Sequence, residues 1–161
     1  VSGSLPTLAH DHRELTALFL AVRESVARVE RGPSTLDDEL HEIRDGVESL
    51  REALLDHFAR EQEGLFPFVR DRAPELSSRT DALTHEHDLI ATRLTDLVSH
   101  VDAIATMPTE GVASFRTSLS EFEALYASHS RAELAFLRDV EALLAHDPQT
   151  ADALQALLEE P

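Results

Sequence analysis

Apolar residues recur along this 161-residue chain at alternating steps of three and four, the period of a helix with one buried face. Four stretches show the pattern. The first carries Leu8, Leu15, Phe19, Val22, Val26 and Val29; the second carries Leu36, Leu40, Ile43, Val47, Leu50 and Leu54, then Leu65 and Phe68. The third runs through Leu76, Leu83, Ile90, Leu94, Leu97 or Val98, Val101 and Ile104. The fourth follows with Val112, Phe115, Leu119, Phe122, Tyr126, Phe136 and Val140. Pro6, Pro33, Pro74, Pro108 and Pro148 stand at the ends of these stretches, where a residue without a backbone N–H does least damage to a helix.

Helices of roughly 25 to 35 residues joined by short connections pack on their chain neighbours. The pattern therefore predicts an all-α fold, an antiparallel up-down four-helix bundle. Pro33-Ser34-Thr35-Leu36-Asp37 and Met107-Pro108-Thr109-Glu110 supply the capping residues and early acids expected at helix starts. After His146-Asp147-Pro148, the segment TADALQALLEE predicts a short C-terminal helix on the bundle's exterior. The length allows one sizeable core and not two, so residues 1–161 read as a single domain with its bundle core over 5–145.

Each stripe has a gap, and each gap holds a histidine. His12 lies between Leu8 and Leu15, His57 and Glu61 between Leu54 and Leu65, His87 between Leu83 and Ile90, and His129 and Glu133 between Tyr126 and Phe136. The spacing of His57 to Glu61 is weak evidence by itself. Acids are 31 of the 161 residues, so about one histidine in five meets an acid four residues on. The position on the buried face carries more weight, because burying an isolated carboxylate costs several kcal/mol. Two buried carboxylates among four imidazoles make a poor plain core and a sensible metal site. At a rise of about 1.5 Å per residue the four histidines stand roughly 10, 20, 18 and 24 Å up the bundle, with His12 low but within reach of one layer.

That donor set, four imidazoles and two carboxylates, suits two metal ions better than one. Imidazole with carboxylate fits iron, and also manganese or zinc. Bridging carboxylates would leave positions for water, an oxo or hydroxo bridge, or dioxygen. An i to i+4 pair shares a helical face, so His57–Glu61 and His129–Glu133 can each grip the same centre. His10 and His85 sit two residues from a candidate ligand and about 200° around the helix, and so face away. A register shift would instead make one of them a ligand. His41, His100 and His146 read as solvated. Tyr126 is either a core aromatic or a catalytic group beside the metal ligands, whose hydroxyl hydrogen-bonds an oxygen ligand or supplies a proton or electron. Leu15, Phe58, Leu83, Ile90 and Phe122 are candidates for the site's wall, Phe66 for wall or ordinary packing. Among the neighbouring acids Asp11, Asp56, Glu86 and Asp88, periodicity singles out none as an imidazole partner.

Composition narrows the function. A formal net charge of −17 disfavours nucleic acid and anionic membrane as partners. The absence of cysteine excludes disulfides, thiolate zinc sites and iron–sulfur clusters. No apolar run is long enough to span a bilayer and nothing at the N-terminus reads as a signal peptide, so the cytoplasm is the expected compartment.

The segments AHDHREL, HFAREQEGLFP, HEHDLI and HSRAELAFL resemble the metal-binding helices of the hemerythrin-like (HHE cation-binding) domain family. HFAREQEGLFP is the most specific of the four, and the resemblance covers roughly residues 5 to 145. It implies a four-helix bundle holding two iron ions in a non-haem di-iron centre. It also implies dioxygen, peroxide or nitric oxide as the small ligand, with roles in oxygen or redox sensing, storage or detoxification. A di-iron oxidase or oxygenase acting on a small organic substrate and an iron storage or donation protein are the alternatives, and whether the chain is an enzyme stays open. Carried over residue by residue, His12, His57, Glu61, His87, His129 and Glu133 take the family's ligand positions. Oxygen-carrying hemerythrins have a second histidine on the third helix, where this chain has Leu83 and Ala91 one turn to either side of His87. Gln62 and Leu134 stand where acids are common. Six ligands rather than seven make a more open centre and favour redox chemistry or sensing over simple oxygen carriage.

Overall fold

A computed structural model describes residues 5–31, 36–145, 149, 152–154 and 156, the side chains of residues 5–11 and 36 excepted. The expectations for Leu8, His10, Asp11, Pro33 to Leu36 and His146, and for most of the terminal segment, fall outside the described residues or side chains. What is described is an all-α helical bundle with no strand among the described residues. Its helices are α1 (Leu5–Glu30), α2 (Leu36–Arg60), α3 (Phe66–Arg72), α4 (Ser77–Thr106) and α5 (Pro108–Leu144).

Long helices adjacent in sequence pack on each other, α1 on α2 and α4 on α5, while α2 also meets α4 and α1 meets α5. Residue numbers rise on one helix as they fall on its neighbour. Along α1 and α5, His12 faces Glu133, Arg23 faces Glu123 and Glu30 faces Arg116. Along α2 and α4, Arg44 pairs with Asp102 near one end, and Glu61, just past α2, meets His87 further down. The exposed ion pairs among these contribute little energy, and the apolar stripes hold the bundle. Leu15, Phe19, Val22, Val26 and Val29 of α1 are buried with Leu40 to Leu54 of α2, Ile90 to Ile104 of α4 and Val112 to Phe122 of α5. Leu97 takes the interior position and Val98 is half-buried.

Between α2 and α3, where Pro67 leads one to expect a kink, the helix is instead widened. Residues Glu61–Leu65 form a π turn, closed by the Phe66 N–H donating to the Glu61 carbonyl five residues back. Pro67 explains it. Proline has no N–H for the Glu63 carbonyl, and its ring would strike that carbonyl in a regular α-helix. The widened turn relieves the conflict by inserting one residue. The register then moves by one, so Phe66 and Val69 are buried and Phe68, expected inside, is only half-buried.

The link from α4 to α5 is tight. Met107 alone separates them, with its N–H donating to the Ala103 carbonyl while Gly111 N–H donates to Met107. Gly111 is required there, since a Cβ would lie 2.6 Å from the Ile104 Cα. Pro108 occupies the first turn and no side chain caps the helix, so Thr109 lies inside α5 and does not act as its cap.

The core is split. A second cluster holds Leu65, Phe66, Val69, Leu76, Leu83, Phe136, Leu137, Val140 and Leu144. Leu154 is buried in it while Asp152 and Ala153 are exposed, so the described helical residues 152–154 pack on the bundle through this one apolar side chain. Between the two apolar clusters lies a polar layer.

Candidate metal centre

All six residues singled out by the gaps meet in that layer. His57, Glu61, His87, His129 and Glu133 are at most 2% exposed, and the His12 side chain is 13% exposed. Each arrives there because its helix replaces one or two core positions of the stripe with polar donors. α1 contributes His12, α2 and the π turn His57 and Glu61, α4 His87, and α5 His129 with Glu133.

Their donor atoms form two triads, His12 with His57 and Glu133, and Glu61 with His87 and His129; within each, one atom per residue lies within 4.8 Å of the others. The triads are interlocked. Glu133 Oε2 is 3.1 Å from His12 Nε2 and 3.6 Å from both His57 Nε2 and His129 Nε2. Glu61 Oε2 is 3.1 Å from His87 Nε2 and 3.8 Å from His57 Nε2. Each carboxylate therefore faces imidazoles of both triads, the placement a bridging ligand needs. His12, which the height estimate put low, lies in the same layer. Helical spacing alone paired Glu61 with His57 and Glu133 with His129; the tertiary packing pairs each carboxylate at shorter range with a histidine from another helix.

The outward nitrogens are held by different groups. His129 Nδ1–H donates to Glu86 Oε2 at 2.9 Å, which leaves the Nε2 lone pair pointing inward. The Gln62 amide lies 2.9 Å from His87 Nδ1. A half-turn of that amide lets its oxygen accept an Nδ1–H and frees the His87 Nε2 lone pair. His12 Nδ1 is 2.9 Å from the Ser130 hydroxyl, which can donate or accept without moving. Glu86 is thus the acid that holds an imidazole. Asp56 and Asp88 are exposed, and the Asp11 side chain lies outside the description. Gln62 and Ser130 were not singled out as imidazole partners by the sequence; the signal it offers is that Gln62 directly follows Glu61 and Ser130 directly follows His129.

Charge states follow from burial. Burial, with the facing imidazoles of His129 and His57, lowers His87 from 6.5 to about 3. Burial also lowers His129, against an opposing pull from Glu86. For Glu133 burial alone would raise the pKa, but the adjacent His12 and His57 imidazoles outweigh it and hold the carboxyl below the usual carboxylate range. Neutral imidazoles beside an ionised carboxylate are the protonation states a cation requires. Among the described residues, the buried Nε2 atoms of His87 and His129 make no hydrogen bond. Leaving buried nitrogens unsatisfied is costly unless a ligand takes their lone pairs. The residues fit a metal.

Aromatic rings close the layer. Phe58 stacks on His87 with centroids 3.9 Å apart and meets His129 edge-on at 5.6 Å; Phe66 stacks on His87 at 5.7 Å. Tyr126 is buried with its ring 6.3 Å from His12 and 6.4 Å from His129. Of the remaining histidines, His85 is exposed, His41 is exposed beside Asp45, and His100 is half-buried with Nδ1–H donating to the Asp96 carbonyl. None of these three joins the layer. Two surface clefts, of about 190 Å³ beside Tyr126 and about 220 Å³ between Glu14 and Asp56, are lined by none of the six residues. Among the described residues no helix is long and apolar enough to cross a membrane.

No curated protein and no solved structure matches the chain significantly. A model of the hemerythrin HHE cation-binding domain matches residues 4–135. That span includes the whole polar layer and most of the chain, so this is a metal-binding helical protein that belongs to the hemerythrin HHE cation-binding domain family.

Proposed function

We propose that the chain is a non-haem di-iron protein that binds or reacts with dioxygen, peroxide or nitric oxide, in sensing, storage or detoxification. The observation that carries this reading is the pair of interlocked triads in one buried layer, with both carboxylates facing imidazoles of both triads. His12, His57 and Glu133 would hold one ion, Glu61, His87 and His129 the other. Nitrogen and carboxylate donors without sulfur suit iron, and also manganese or zinc. Two iron ions there would supply vacant coordination positions and electrons for a small oxidant.

The chain's own residues set the conditions for that chemistry. Glu86, Gln62 and Ser130 orient the imidazoles, and Phe58 and Phe66 keep water from the His87 side. Tyr126 stands by His12 and His129, where a phenol could donate a hydrogen bond or a proton to a small ligand. Anaerobic iron loading followed by metal analysis tests the reading: about two irons per chain are expected, and fewer than one overturns it. Mixing the reduced, loaded protein with dioxygen then separates the roles. A reversible spectral change indicates carriage or sensing, irreversible oxidation indicates redox chemistry, and no response indicates storage.

A further inference from the structure

The two triads differ in how they are built. Glu61, His87 and His129 come from the π turn, α4 and α5, and are wholly buried. Both imidazoles of this inner triad are fixed from behind, His129 by the Glu86 carboxylate and His87 by the Gln62 amide. His87 is also held flat against Phe58, with 12° between the ring planes. The outer triad of His12, His57 and Glu133 depends on α1, which contributes only His12 to the layer. His12 is the most exposed of the six, and a neutral hydroxyl backs its outward nitrogen. Donors already locked in place lose less freedom when a cation arrives, and a carboxylate behind an imidazole makes it a stronger ligand.

We propose that the two positions are unequal and fill in order: the inner triad takes the first divalent cation, and the outer triad takes the second and exchanges it through movement of His12. This rests on the two-metal reading above. Its consequence is a protein that keeps one ion while the other comes and goes, with Glu86 and Ser130 as positioning residues for different ions.

The test is a titration of the metal-free full chain with Co(II), followed by calorimetry and by the visible bands of the bound ion. Two resolved steps are expected, the first at least tenfold tighter. His12→Ala keeps the first step and loses the second, ending at one ion per chain. Glu86→Gln weakens the first step about tenfold or more, the usual effect of removing such a partner, and shifts the bands of the first ion. Ser130→Ala weakens the second step alone. Two ions bound in a single step of equal affinity would overturn the ordering while leaving the two-metal reading intact. So would a His12→Ala protein that loses both steps while its far-ultraviolet circular dichroism matches wild type. A wild-type protein that takes up no cation would overturn both.

Discussion

His87 makes the metal-free protein sensitive to acid in a window set by its burial. In the folded chain its pKa is lowered from 6.5 to about 3, so the native state resists a proton that the unfolded chain accepts. The unfolded state therefore binds more protons between these values, and stability rises with pH through the window. The contribution is complete above 6.5 and is lost as pH falls toward 3. Between pH 7 and pH 5 the difference amounts to about 2 kcal/mol from this one side chain. His129, lowered by the same burial, acts in the same direction. Glu133 acts lower: its stabilisation is present above its ordinary value of 4.5 and is lost only as pH falls below that. Urea unfolding of metal-free wild type and His87→Gln at pH 7 and pH 5 reads the effect, since carboxylates and histidines outside the polar layer titrate alike in both proteins, and relief of His129 from its His87 neighbour in the variant adds to the difference in the same direction. With a slope near 2 kcal/mol per molar urea, the wild-type midpoint should fall about 1 M further than that of the variant. Equal shifts in the two proteins would refute the claim that His87 is held neutral by burial.

Three further outcomes are expected. Gly111→Ala places a methyl against the Ile104 backbone, which cannot yield easily, and should destabilise by about 1–3 kcal/mol, lowering Tm by about 2–12 °C in calorimetry. Phe58→Ala removes the ring stacked on His87 and should cost about 3–5 kcal/mol in urea unfolding, with weaker cation binding because His87 is no longer held flat. Tyr126→Phe should leave iron stoichiometry unchanged but alter the rate of reaction with dioxygen or peroxide in stopped-flow mixing; an unchanged rate would make Tyr126 a packing residue only.

The bundle and the six polar residues were legible in the sequence for one reason. A soluble helix reveals its buried face by period, and a polar residue on that face stands out because its burial is unfavourable. Leu15 to Val29 and Val112 to Val140 are buried as their spacing implies, and the four gaps fall in one layer. The π turn was not legible. Pro67 announces a disturbance, but whether a helix kinks, ends or widens there depends on what packs around it, and the one-residue shift that buries Phe66 in place of Phe68 follows from that choice. The imidazole partners were equally hidden. Glu86 is half-exposed beside a buried His87 on its own helix, yet it serves His129 across the α4–α5 seam, a relation that no periodicity within one helix encodes.

The most direct test of the metal centre is a crystal structure of the iron-loaded protein with anomalous differences measured at the iron edge. Two iron peaks are expected, one among His12, His57 and Glu133 and one among Glu61, His87 and His129. Iron bound elsewhere on the acidic surface, with the polar layer empty at full loading, would contradict the account.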